Sequence, residues 1–256
     1  MVFDIIKCNL YRYRNVYRNS PLNGGTMKKS LIALVMVCAF VAGLHSESVQ
    51  NAPNLDIIDT PTTNTLLRGM YNFHMRFYEG GGLNTRAWVG FANVFMIGAS
   101  FDVQNAIGTG NVNGREPKVL AKVRMIEESV AFPAIALGYE PQTIGLTTFP
   151  MGIYAAVSKT IMPNVILSGG VNNHNVFTNF VFNDNFGVFA GLVWMPSQDF
   201  AFLGEMNDLI QNGRSLNLGI RYAFAPEIRI EFDFKGLSKS ATDYARNLRI
   251  DYVNYF

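Results

Sequence analysis

The chain is 256 residues long, 49% hydrophobic and 16% charged, with 23 Gly and 20 Phe. Charge is well below the roughly 25% of ordinary soluble domains, and the length suits one medium domain or one barrel. The formal net charge of +2 comes from residues 1–46, which hold six basic residues and one acidic; the remainder, with 15 basic and 18 acidic residues, is net −3, so no nucleic-acid partner is expected.

Residues 1–26 fit no targeting pattern, because a signal peptide begins at its charged n-region. Gly24-Gly25-Thr26-Met27 can be encoded as a ribosome-binding sequence ahead of an ATG. Residues 1–26 are therefore read as a non-native upstream extension. Lys28 and Lys29 then precede the apolar run Leu31 to Gly43. Its length of about 13 residues is too short to cross a bilayer, where about 20 are needed. Small residues follow, so 27–46 reads as a signal peptide cleaved near Gly43, Ser46 or Ser48. Met36-Val37 before Cys38 is not a lipoprotein signal. Both cysteines, Cys8 and Cys38, precede residue 47, so no disulfide or thiolate metal site is expected in the exported part. Residues 47–64 are expected to lie in the periplasm, ahead of a barrel over 65–256.

From residue 65 onward the chain is a series of period-two segments. Tyr71, Phe73, Met75 and Phe77 alternate with Asn72, His74 and Arg76. Similar segments recur near 85–92, 95–104, 118–126, 131–140, 151–160, 164–172, 185–195, 199–208, 214–224, 227–236 and 246–256. That is about twelve strands of the length a transmembrane β-strand needs, roughly nine to eleven residues. Tight links are expected at 92–94, 126–128, 162–164, 196–198 and 225–227. Longer links rich in Gly, Asn and Thr fall at 79–84, 105–117, 141–150, 173–184, 209–213 and 237–245. Alternating short and long links are what an outer-membrane barrel shows, with short periplasmic turns and longer outer loops. The expected fold is therefore all-β, an antiparallel up-and-down transmembrane β-barrel of about twelve strands.

Segment 185–195 carries the expected lipid band, with Phe186, Val188, Ala190, Leu192 and Trp194 on one face. Its length of ~26 Å at a tilt of ~40° spans roughly 20 Å vertically. Placing apolar faces outward turns the charged residues into the lumen. Candidate lumen-lining residues are His74, Arg76, Arg86, Lys122, Arg124, Glu205, Arg221, Arg229, Glu231, Asp233, Arg249 and Asp251, with Lys118, Lys235, Asp102 and Glu140 on the same faces. Both signs are interleaved, which suits either a basic-leaning pore or a lumen filled by ion pairs, since a buried charge must be paired. On the last strand, Leu248, Ile250, Tyr252 and Phe256 share one side while Arg249 and Asp251 share the other. The final strand closes a barrel, so Tyr252 and Phe256 are the candidate closure signal, with Asn254 standing where an apolar residue is expected.

Catalysis finds little footing. Ser168 faces inward, His174 sits in a link, and Gly80-Gly81-Gly82 has neither the following helix nor the Lys of a phosphate cradle. No Rossmann, P-loop or zinc-ligand spacing occurs, so neither cofactor nor metal is expected, and the protein reads as no enzyme.

The runs Thr60-Pro61-Thr62-Thr63-Asn64-Thr65-Leu66-Leu67-Arg68-Gly69-Met70-Tyr71, Arg76-Phe77-Tyr78-Glu79-Gly80-Gly81-Gly82-Leu83, Pro133 to Glu140 and Leu216 to Tyr222 resemble the YjbH-like outer-membrane barrels linked to exopolysaccharide production. The resemblance covers most of 57–256 and its motifs are structural. This chain is shorter than the longer members and holds one barrel. The resemblance implies a non-enzymatic protein assisting envelope or exopolysaccharide export or assembly. The lumen residues themselves point to an alternative, a small passive channel for anionic or small polar solutes; an outer-membrane lipid hydrolase is a weak third. Expected partners are outer-membrane lipid, the barrel-assembly machinery, and polysaccharide or small anionic solutes. The expected location is the outer membrane of a Gram-negative-type bacterium.

Overall fold

A computed structural model describes residues 52–142, 151–174, 186–210, 215–238 and 244–256; the expectations for residues 1–51 lie outside these. The strands are β1 Met70–Tyr78, β2 Gly82–Ala92, β3 Phe95–Gln104, the two-residue β4 Asn113–Gly114, β5 Lys118–Ile126, β6 Ala134–Glu140, β7 Gly152–Met162, β8 Val165–Asn173, β9 Phe186–Trp194, β10 Phe200–Asn207, β11 Ser215–Ala223, β12 Ile228–Lys235 and β13 Ala245–Tyr255. Every pairing between them is antiparallel and, apart from the short β4, each strand pairs with two neighbours. β1 meets β13 in the register Met70↔Tyr255 to Phe77↔Leu248. Twelve strands thus close an up-and-down transmembrane barrel, which leaves no open edge.

Pleating puts successive side chains on opposite faces, and the sequence uses this fully. Leu137, Ile153, Val157, Leu167, Leu192, Ile220, Phe232 and Phe234 are exposed on the outside, an apolar surface that suits lipid and not water. Their neighbours along the strands are buried inside. The links 93–94, 163–164, 195–199 and 224–227 are tight and share one end of the barrel. The expected links 141–150, 173–184, 209–213 and 237–245 lie largely outside the described residues; among the described residues, two links depart from the expected alternation. The 127–133 link is longer than expected, because Ser129 and Phe132 form their own hydrogen-bonded turn. The 79–81 link is a short 3-10 turn, made possible by Gly80 and Gly81 at positive φ (73° and 69°). A Cβ on Gly81 would stand 1.9 Å from the Ile107 carbonyl oxygen, whose residue's N–H donates back to Gly81. Aromatic pairs gather near the tight-turn end: Trp194 with Phe202 (5.2 Å), Phe200 with Tyr222 (6.4 Å), and Tyr71 with Phe256 (5.0 Å).

The main departure concerns the N-terminal segment. The described part of 47–64 does not lie outside the barrel: residues 52–66 run through its interior. Ile57 N–H donates to the Thr60 carbonyl (2.9 Å) and Thr62 N–H to that of Leu55 (3.1 Å), so the segment doubles back as a narrow hairpin. Its legs are held near the tight-turn end, where Arg229 reaches the Ala52 carbonyl (3.1 Å) and the Thr65 hydroxyl donates to that of Asn93 (2.8 Å). Its tip reaches Glu205, two residues from the far end of β10. Leu55 and Leu66 pack with Met70, Trp88, Met96, Leu120 and Val253. Ile57 and Ile58, both fully buried, pack on Val193, Ala201 and Leu203; burial of each contributes about 1.5–3 kcal/mol. Gly191 makes this approach possible, since a Cβ there would lie 2.5 Å from Ile57 Cδ1. The segment is a plug.

Candidate functional site

The candidate site is the lumen wall and the plug it holds. Strand register aligns the charged residues in rows around the barrel. One row runs Arg221, Glu231, Arg249, Arg76 and Asn84 across β11, β12, β13, β1 and β2. The next row towards the tight-turn end runs Arg229, Asp251, His74 and Arg86. Ion pairs link them: Arg221 Nε to Glu231 (2.5 Å), Arg249 to Glu231 (3.0 Å) and Asp251 (3.2 Å), and Arg86 to Glu140 (3.0 Å), while His74 Nδ1 lies 3.4 Å from Asp251. On the opposite side, around β6 to β10, the wall has no inward cation among its buried residues and mixes Ala134, Ala136, Ala156, Phe189 and Val193 with Ser158, Ser168, Asn172 and the acids Glu140 and Glu205.

Eleven of the twelve candidate lumen residues are buried inside the barrel: His74, Arg76, Arg86, Lys122, Glu205, Arg221, Arg229, Glu231, Asp233, Arg249 and Asp251. Arg124 is not. Its side chain is 18% exposed and donates to Glu127 (2.8 Å) and the Asn93 carbonyl (3.0 Å) at the tight-turn rim, because β5 bulges between Arg124 and Ile126. Lys118, at the other rim, is also exposed and pairs with Glu116. On the closing strand, Phe256 N–H donates to the Gly69 carbonyl (3.0 Å), and Asn254 is tied to the Tyr252 hydroxyl (2.9 Å).

The plug matches this wall group for group. Its carbonyls accept from wall cations: Leu55 from Lys122 (2.7 Å), Ile57 from Arg221 (2.7 Å), and Ile58 from both Arg76 (2.5 Å) and Arg249 (3.1 Å). Arg221 and Arg229 both donate to Asn54 Oδ1 (2.8 and 3.1 Å). Asp56 accepts from Arg249 (2.8 Å), and Asp59 is held between Arg76 and Lys235. Glu205 takes the other polarity. Its carboxylate accepts the N–H groups of Ile58 (3.0 Å), Asp59 (2.9 Å) and Thr60 (2.9 Å) and the Thr60 hydroxyl (2.9 Å), while Asn217 steadies it at 2.7 Å. Burial raises the Asp56 carboxyl, but Arg249, His74 and Arg86 outweigh it and bring the group down to about 2. Asp59 is likewise raised by burial and held lower still by Lys235 and Arg76. Both plug carboxylates are therefore ionised while docked. The space left between plug and wall at His74, Trp88 and Arg229 is a cavity of about 10 Å³, room for one water at most.

Asn54, Asp56 and Asp59 are candidate site residues that strand periodicity missed, because they lie in no strand. The available signal was the mixture in Leu55-Asp56-Ile57-Ile58-Asp59 of fully apolar and acidic residues, which a segment bathed in water does not need.

The hydrolase reading is not supported by the geometry. Ser168 Oγ is buried and 2.7 Å from Ser158 Oγ, whereas His174, six residues beyond Ser168 and so ~20 Å away at strand rise, lies 3.3 Å from Asp208. Among the described residues no cluster suited to a metal ion occurs.

No protein-family model and no curated protein matches the chain, so the likeness to YjbH-like barrels rests on the quoted runs. Solved structures do match in part. The KdgM porin in complex with disordered oligogalacturonate is 9% identical with a TM-score of 0.48, covering 73% of this chain and 99% of that one. The NanC porin is 13% identical with a TM-score of 0.42, over 73% and 99%. The Acinetobacter baumannii outer membrane protein Omp33 is 10% identical with a TM-score of 0.38, over 73% and 97%. Likeness at this level says nothing of solute or partner.

Proposed function

We propose that the chain is a non-enzymatic outer-membrane channel for small anionic or polar solutes, closed by its own residues 52–66. One observation carries this reading: six wall cations, Arg76, Lys122, Arg221, Arg229, Lys235 and Arg249, direct donors at the plug. Arg221 and Arg249 also pair with wall acids, but Arg76, Lys122, Arg229 and Lys235 have no wall acid within ion-pair distance among the described residues, whereas a wall made only to be sealed would satisfy its cations with its own acids, since an unpaired buried charge is costly. Withdrawal of the plug leaves those donors facing an aqueous path. The apolar outer surface supports the membrane setting.

Conductance in planar bilayers tests this. The intact protein should be closed for most of the time, whereas a variant lacking 52–64 should give steady, anion-preferring steps. Arg221→Glu with Arg249→Glu in that variant should move the preference towards cations. A folded deletion variant that passes no current refutes the channel. A second reading, assistance to exopolysaccharide export or assembly, is supported by the resemblance, whose first run, Thr60 to Tyr71, falls on the returning leg of the plug and the start of β1. It predicts that deleting the gene lowers secreted polysaccharide, and that the deletion of 52–64 does not restore it.

A further inference from the structure

The wall cations divide by partner, and two of them, Lys122 and Arg229, donate to uncharged plug oxygens. Arg221, Arg249 and Arg86 each have an acid on the wall within ion-pair distance. Arg76, fully buried, and Lys235, half-buried, have among the described residues one ion-pair partner, Asp59 of the plug, with Lys235 Nζ 2.5 Å from Oδ2. The wall carboxylate acting on Arg76 from further off is Asp233, which accepts no hydrogen bond among the described residues. Beside Asp59 stands Glu205, taking the N–H of that same residue at 2.9 Å and the Thr60 hydroxyl at 2.9 Å.

Asp59 therefore presents one chemical pattern to the wall. Its carboxylate goes to two cations, and a donor on the carbon β to that carboxylate goes to an acidic acceptor. A sugar acid carries the same pattern, since in D-glucuronate the carbon β to the carboxylate bears a hydroxyl. A neutral sugar lacks the anion, and a simple fatty acid lacks the donor.

We propose that Arg76, Lys235 and Glu205 form a recognition subsite for a hydroxylated carboxylic acid of the sugar-acid type, which Asp59 occupies until solute displaces it. This deepens the channel reading above and rests on it. The plug is then a resident competitor, and solute binding and plug release are two sides of one equilibrium.

The test uses the folded full-length chain with D-glucuronate, and D-glucose as control. In the unaltered protein, saturating D-glucuronate should speed amide exchange within 57–60 at least threefold, and D-glucose should not. By calorimetry, Asp59→Asn should bind D-glucuronate about tenfold more tightly than the unaltered protein, equivalent to about 1.4 kcal/mol. Lys235→Gln in the Asp59→Asn background should abolish that gain and Lys235→Arg should keep it. Lys235 is preferred to Arg76 because it is partly exposed, so its loss spares folding, which the heat-dependent electrophoretic mobility of the barrel checks. Unchanged exchange in the unaltered protein overturns the proposal, as does a gain in Asp59→Asn that survives Lys235→Gln. If these fail while the variant lacking 52–64 still conducts, the subsite falls and the channel stands; if that variant is silent, both fall.

Discussion

Replacing Glu205 with Gln removes one charge while keeping shape, and its effect on the plug follows from the contacts. The carboxylate accepts from four plug donors: the N–H groups of Ile58, Asp59 and Thr60, and the Thr60 hydroxyl. Hydrogen bonds to a charged group contribute about 1.5–3 kcal/mol and neutral ones about 0.5–1.5, so each contact weakens by about 1 kcal/mol. The gross loss is about 4 kcal/mol, but contacts sharing one group are not additive, and a buried charge no longer needs solvating. A net loss of about 2–3 kcal/mol remains, about 30- to 140-fold in the docking equilibrium. Hydrogen exchange followed by mass spectrometry reads this directly. Peptides covering 55–62 should lose protection by that factor, while those covering β1 and β13 keep theirs. Unchanged protection at 55–62 would refute the clamp. Equal loss across the barrel would show that Glu205 supports the wall and not the plug.

Three further outcomes are expected. Phe232, 56% exposed on the outer face, should not tolerate Arg: Phe232→Arg should destabilise the bilayer-folded barrel by roughly 2–4 kcal/mol, whereas Asp233→Asn, next along β12 but facing inward, should be near neutral in urea unfolding. Docking should also depend on acid. Asp56 sits at about 2 when docked against an ordinary 3.8, and a carboxyl lowered on docking stabilises the docked form above its ordinary value and loses that contribution as pH falls through the docked value. Emission of Trp88, which packs on Leu55 and Leu66, should therefore hold steady at pH 5 and shift between pH 3.8 and about 2, measured in a Trp194→Phe background. Finally, a cysteine replacing Asn111 should be labelled on whole cells by an impermeant maleimide and one replacing Ser197 should not; the reverse pattern would invert the orientation.

The strands were legible because a barrel writes its fold locally. Each strand meets lipid on one face and the lumen on the other, so alternation alone gives boundaries that differ from the observed ones by three residues or fewer. Arg229-x-Glu231-x-Asp233 could be turned inward on that basis, and all three are buried there. Arg124 has the same parity as Lys122, but a bulge at the strand end took it to the rim, and bulges carry no signal in period-two patterning. The plug was illegible for a different reason. Its partners, such as Glu205 and Arg249, lie roughly 145–191 positions away along the chain, and a hairpin of carbonyls and two aspartates has no periodicity of its own. Besides the apolar and acidic mixture of Leu55 to Asp59, what marked it was a property of the wall, inward cations such as Lys122 and Arg229 with no wall acid within ion-pair distance among the described residues, and that is readable only once the strands have been aligned.

Arg76 and Arg249 face each other directly across the seam where the first and last strands meet, and both donate to the single carbonyl of Ile58. Like charges directly opposite on neighbouring strands repel. A cylinder that zips shut around an empty centre brings two guanidinium groups together at the very joint that completes it. With residues 52–66 already in place, the same joint closes on a shared acceptor. The segment that fills the passage is thus also what offsets the repulsion at the seam of the wall.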